Sequence, residues 1–233
     1  MPLPKLDVPI YELNLPSTNK ELKYRPFLVK EEKILLMALE SDDENEILKG
    51  MTQIISNCLI DSDLNIELLP TFDLEYIFLK LRSRSIGEIS ELTLKCENCE
   101  AENPYRVDLS KIEITKNENH TTEIKIDDNL GVVMKYPTAK TMTLRETTGM
   151  ESVFDMIEDC VDTIYYNEES YDLNDYTKSE KRDFFDSLTQ NQFEKIQDFF
   201  TTMPKIETEI EYNCIKCKEN NKLTLEGLQN FFG

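Results

Sequence analysis

The chain has 233 residues, of which 39% are apolar and 31% charged, and its formal net charge is −20. Eleven Phe and ten Tyr supply packing bulk in the absence of Trp, so the composition is that of one or two folded domains rather than of a disordered chain. The acidic balance weighs against direct nucleic-acid binding, which rests on Lys and Arg at phosphates, and no apolar run reaches the roughly 18 residues of a membrane span.

Met1-Pro-Leu-Pro-Lys-Leu-Asp lacks the apolar centre of a signal peptide, and a soluble protein made in a cytoplasm is expected. Residues 1–30 hold five of the nine prolines: Pro2, Pro4, Pro9, Pro16 and Pro26. Proline removes backbone donors and biases its predecessor to extended conformations, which predicts an extended arm that is neither helix nor central strand. The arm carries Lys5, Lys20, Lys23, Arg25 and Lys30 against Asp7, Glu12 and Glu21, a balance of +2 that leaves −22 on the rest. A mildly basic arm of this kind lies along its own body or a neighbour's.

Residues 31–89 read as a helical segment. Ile34, Leu35 and Leu36 open a short helix, and Ser41-Asp-Asp-Glu makes an acidic turn with capping residues. Ile47, Leu48, Met51, Ile54, Ile55, Cys58 and Leu59 then recur at helical spacing. Leu74, Ile77, Phe78 and Leu81 mark a further helix after Pro70, which ends in Arg82, Arg84 and Gly87. The two arginines suit a helix C-terminus, where cations complement the macrodipole.

Alternation replaces helical spacing at Leu92 and Leu94, which lead into Cys96 and Cys99, with Tyr105, Val107 and Leu109 beyond. Ile112, Ile114, Ile124, Ile126 and Val132–Val133 suggest more strands. Val153, Phe154, Ile157, Cys160, Val161 and Ile164 predict a helix, and Phe184, Phe185 and Leu188 another pair. Thr189 with Gln192 forms a capping-box pattern ahead of Phe193, Ile196, Phe199, Phe200 and Met203, and Pro204 ends the helix. Alternation resumes at Ile206, Ile210 and Tyr212 and again at Leu223 and Leu225, around Cys214 and Cys217.

The two C-x2-C pairs resemble each other: Leu92-Thr-Leu-Lys-Cys-Glu-Asn-Cys against Ile210-Glu-Tyr-Asn-Cys-Ile-Lys-Cys. Each reads as a hairpin tipped by a metal-binding knuckle. A two-residue spacer lets one tight turn supply two thiolates, and zinc takes four of them tetrahedrally. Neither knuckle suffices alone, so Cys96, Cys99, Cys214 and Cys217 are expected to share one structural Zn2+ per chain across 114 intervening residues. Disulfides within the pairs would be strained and out of place in a reducing compartment, and a redox C-x-x-C normally opens a helix. Iron–sulfur ligation is the remaining alternative. Cys58 and Cys160 fall on apolar helix faces and read as core residues.

The expected fold is therefore α+β. A mainly helical body carries a split zinc-ribbon-like antiparallel β module formed by residues 90–115 and 205–229, with a mixed strand and helix insertion over 116–204. Catalytic signals are missing. The single histidine, His120, lies in a polar stretch and reads as an exposed loop residue, and six glycines leave no phosphate-binding loop. No enzyme, catalytic residue or small-molecule substrate is indicated.

Pro16-Ser-Thr-Asn-Lys-Glu-Leu-Lys-Tyr-Arg-Pro-Phe-Leu-Val-Lys-Glu-Glu-Lys-Ile-Leu-Leu-Met-Ala-Leu-Glu, with Leu79-Lys-Leu-Arg-Ser-Arg-Ser-Ile-Gly-Glu and the first cysteine pair, resembles a family of baseplate proteins of contractile-tailed bacteriophages of the T-even type. The likeness covers residues 1–115 and the later C-x2-C. It implies a non-enzymatic hub subunit or hub-assembly factor located in the virion tail baseplate, with other phage baseplate proteins as partners. Tyr24, Arg25, Pro26 and Phe27 combine aromatic and Arg character of the kind enriched at interfaces and are candidates for partner contact, or else anchor the arm to its own domain. The competing reading is an acidic zinc-ribbon adaptor that regulates host transcription or a nucleic-acid enzyme.

Overall fold

The computed structural model describes residues 6–41, 43–60, 63–143, 150–227 and 230. Pro2 and Pro4 of the expected arm and residues 228–229 of the expected β module lie outside the described residues. The chain divides into two compact units, residues 1–115 with 205–233 and residues 116–204. Seven α-helices and several antiparallel sheets occur among the described residues, so the fold mixes both types rather than being mainly helical.

The first unit opens with β1 (Tyr11–Asn14) and β2 (Glu21–Tyr24), an antiparallel hairpin in which Leu13 faces Leu22. After α1 (Val29–Glu40) and α2 (Glu44–Cys58), β3 (Leu59–Ile60) pairs with β2 on its other side. The expectation that residues 1–30 avoid a central strand is thus corrected. Pro9, Pro16 and Pro26 bracket the two strands instead of interrupting them, leaving the ladder donors of β2 intact. Leu13, Leu15, Leu22 and Tyr24 are buried by this hairpin.

α3 (Thr71–Ser85) forms the centre of this unit. Phe72, Leu74, Ile77, Phe78, Leu79 and Leu81 are all buried, so the helix is covered on nearly every side, as an apolar circumference requires. Its buried Asp73 accepts hydrogen bonds from the backbone N–H (3.1 Å) and the hydroxyl of Ser17, which fixes the β1–β2 turn to the start of α3. At the other end Arg82 donates to the Gly87 carbonyl at 3.3 Å and Arg84 pairs with Glu88 at 2.7 Å. Gly87 has φ +143°, a conformation that favours glycine. β4 (Ile89–Lys95) and β5 (Glu102–Asp108) then form a hairpin, and β6 (Ile114–Thr115) closes this stretch of chain.

The second unit contains β7 (Glu123–Lys125), β8 (Leu130–Met134), α4 (Ala139–Thr143), α5 (Met150–Asp159), β9 (Val161–Tyr166), β10 (Glu169–Asp172), α6 (Lys178–Asp186) and α7 (Gln190–Thr202). Its sheet is antiparallel in the order β10-β9-β8-β7. Ile126, Val132, Ile157, Ile164, Ile196 and Phe199 belong to one buried cluster beneath it. The expected helix over 153–164 stops at Asp159, and Val161 and Ile164 lie in β9. β-Branched and aromatic residues from Val161 to Tyr166 satisfy the sheet better than a helix, and Asn167 at φ +58° turns the chain into β10. α7 starts with the capping box of Thr189 and Gln192.

The chain returns to the first unit through β11 (Lys205–Asn213), which pairs with β6 so that Lys205 faces Thr115. The two ends of the 116–204 segment are therefore held side by side in one ladder. β12 (Asn220–Glu226) completes the second hairpin with β11.

Candidate metal centre

Two features of sequence build each knuckle. The alternating strands β4–β5 and β11–β12 are in register up to the cysteine-bearing turn, and the residue after the second cysteine takes a left-handed conformation: Glu100 at φ +57° and Lys218 at φ +64°. The turns superpose bond for bond. The Cys96 N–H donates to the Ala101 carbonyl (3.0 Å) and the Cys214 N–H to the Glu219 carbonyl (2.9 Å). The Glu100 N–H donates to the Cys96 carbonyl (2.9 Å) and the Lys218 N–H to the Cys214 carbonyl (3.0 Å).

The four sulfurs converge. Those of Cys96, Cys99, Cys214 and Cys217 all lie within 4.8 Å of one another. The Cys96–Cys217 and Cys99–Cys214 sulfurs are 3.7 and 3.6 Å apart, too far for the roughly 2.05 Å of a disulfide. Tetrahedral ligation at a Zn–S distance of about 2.3 Å places sulfurs roughly 3.8 Å apart, so the spacing fits a single ion held by four thiolates. Cys96 and Cys214 are buried and the other two half-buried.

Local hydrogen bonds and neighbouring sulfurs set the Cys214 and Cys99 thiols apart. Backbone N–H groups of Cys217 and then Lys216 hold the Cys214 thiol down at about 6. The Ala101 N–H lowers the Cys99 thiol, but the Cys217 sulfur, burial and the other two sulfurs outweigh it and raise it to about 11. Four adjacent thiolates repel one another, and a divalent ion is the agent that lets all of them ionise together.

Two residues absent from the sequence-level site join the hairpins. The buried Asn103 accepts from the Ile215 N–H at 2.8 Å and donates to the Ala101 carbonyl at 2.7 Å. The buried Asn221 accepts from the Glu97 N–H at 3.2 Å and donates to the Glu219 carbonyl at 3.0 Å. Each asparagine stands seven residues after the first cysteine of its own knuckle and caps the residue after the first cysteine of the other. The shared C-x2-C-x3-N spacing was the signal that could have revealed them. Tyr212 adds a third bridge, donating from its hydroxyl to the Lys95 carbonyl at 2.9 Å.

Tyr24, Arg25, Pro26 and Phe27 face inward. Tyr24, Pro26 and Phe27 are buried, and the Phe27 N–H donates to the Ser85 hydroxyl at 2.9 Å. Arg25 pairs with the buried Glu31 at 3.0 Å and donates to the Asn57 carbonyl at 2.9 Å. Contacts with Arg25 and the Leu28 N–H outweigh burial and hold the Glu31 carboxyl below its ordinary range. The quartet fastens the end of the β1–β2 hairpin to α1, α2 and α3. His120 is also corrected: it is half-buried, hydrogen-bonded to Thr202 and Tyr136 at 3.0 Å each, with its ring against Phe199. Cys58 and Cys160 are fully buried, and burial pushes the Cys58 thiol up to about 11.

The family model described as T4 bacteriophage base plate protein matches residues 8–233. Over 223 residues the chain is 23% identical to the baseplate hub assembly protein gp26 of Enterobacteria phage T4, covering 95% of this chain and 97% of that one. No solved structure matches significantly. No helix among the described residues is long and apolar enough to cross a membrane.

Proposed function

Because the chain belongs to the T4 bacteriophage base plate protein family, we propose that it is a non-enzymatic structural or assembly component of a contractile-tail baseplate hub, acting through contacts with other baseplate proteins. The end-to-end relation to a hub assembly protein carries this reading, since it spans both compact units rather than one shared module. The four-cysteine centre supports it from the chemical side. A closed set of four thiolates leaves no ligand position for substrate, so the ion stabilises architecture.

The ion we assign is one Zn2+ per chain, held by Cys96, Cys99, Cys214 and Cys217. It offsets half of the thiolate charge and joins two hairpins that are each marginal alone. Elemental analysis of purified protein tests the metal; two zincs per chain, or none, overturns the shared site. Affinity capture from phage-infected cells, followed by mass spectrometry of capture and virions, tests the role. Hub proteins in the capture support it, presence in virions marks a retained component and absence an assembly factor, and a capture free of baseplate proteins overturns it.

A further inference from the structure

We propose that α1 is a self-pairing surface, through which two copies of this chain associate antiparallel about a two-fold axis. The proposal concerns a surface distinct from the cysteine centre. One side of α1 is already used: Ile34 and Ala38 pack over α2, where a Cβ at Gly50 would come within 2.9 Å of the Ala38 Cβ. Glu31, on the same side, is buried with Arg25. The opposite side, at helical spacing, holds Val29, Lys33, Leu36, Met37 and Glu40. Val29, Leu36 and Met37 are 67%, 55% and 71% exposed. A surface helix ordinarily turns polar residues to water, and a helix apolar on both sides belongs in a covered position.

The charges identify the occupant. If two α1 helices cross antiparallel with the axis between Leu36 and Met37, residue pairs sum to 73. Leu36 then meets Met37 of the second copy and Lys33 meets Glu40. The Lys33–Glu40 pair is attractive and occurs twice by symmetry, and the antiparallel dipoles also attract. Moving the axis onto Leu36 brings Glu32 against Glu40 instead. The strip is small. A helix of 12 residues is about 18 Å long, and one such pair buries less than the roughly 800 Å² per partner of a standard interface. The dimer is therefore weak and dissociates on dilution, against the repulsion of two chains of charge −20.

Sedimentation velocity of the zinc-loaded full chain over about a hundredfold concentration range tests this. The wild type should pass from monomer to dimer as concentration rises. Lys33→Glu and Glu40→Lys, both exposed, should each fold normally by circular dichroism and move the midpoint at least several-fold higher. Mixing the two variants restores both attractive pairs, so the mixture should dimerise where neither does alone. A wild type that stays monomeric overturns the proposal. So does a dimer whose midpoint ignores both substitutions, or a mixture that behaves as its components.

Discussion

Residues 116–204 hold a continuous apolar cluster that includes Ile126, Val132, Ile157, Ile196 and Phe199, whereas the cysteine-bearing ends of β4–β5 and β11–β12 are joined by four converging sulfurs, two asparagines and Tyr212. The contrast follows from strand geometry. A sheet backed by helices buries one whole face, whereas a two-residue knuckle is a turn with little apolar surface of its own. With the proposed ion bound, ligand bonds and reciprocal hydrogen bonds would do there what packing does elsewhere. Such a joint can tie sequence-distant segments, because its strength depends on a few directed bonds and not on a large shared core.

The largest effect should come from the sulfurs. Structural zinc sites contribute on the order of 10 kcal/mol of binding free energy near neutral pH, so Cys96→Ser and Cys214→Ser should each abolish zinc and expose both hairpins. Amide exchange resolved by residue checks this: protection should vanish from β4–β5 and β11–β12 together while residues 116–204 keep theirs. Loss confined to the mutated hairpin would show that the knuckles do not depend on a common ion. The reciprocal test lies in the apolar cluster. Phe199→Ala should cost about 3–5 kcal/mol of stability in residues 116–204, read by the same exchange, while zinc per chain stays at one.

Asn103→Ala and Asn221→Ala sharpen the contrast at a smaller scale. Each leaves a backbone N–H of the opposite knuckle unpaired, at about 1–3 kcal/mol, and should lower zinc affinity about 10–100-fold in a chelator competition. Near-equal losses are expected because the two bonds are counterparts. A loss at one asparagine and none at the other would mean the likeness of the turns is not energetic.

The two knuckles were legible because a cysteine pair at fixed spacing has few structural uses, and flanking alternation placed each on a hairpin. The asparagines were not, since a polar residue in a strand next to a turn looks solvated until the opposite knuckle is in view. Prolines misled in residues 1–30: Pro9, Pro16 and Pro26 act at strand ends, and only pairing with β3 makes β2 central. The periodicity from Val153 to Ile164 joined a helix to a strand, because the buried Ile157, Cys160, Val161 and Ile164 follow one another at helical intervals although Val153 and Phe154 are exposed. The family match runs through 116–204, a segment without a legible motif, since an apolar core can be rebuilt from many residue combinations.

His120 provides the finest test, and it separates the two units by pH. Thr202 donates its hydroxyl to the Asp198 carbonyl at 2.9 Å, so toward His120 it accepts, which assigns the proton to Nδ1 and leaves Nε2 to accept from the Tyr136 hydroxyl. Protonating Nε2 requires that hydroxyl to reverse, and burial lowers the imidazole below its usual 6.5. A base depressed in the folded state is protonated first in the unfolded one, so residues 116–204 should lose stability as pH falls below about 6.5 and level off beneath the folded value. His120→Gln should flatten that slope. The chain has one histidine, so its imidazole signals in an NMR titration are unambiguous. A midpoint at or above 6.5 would mean the ring is solvated, and the cluster with Tyr136, Phe199 and Thr202 would not hold in solution.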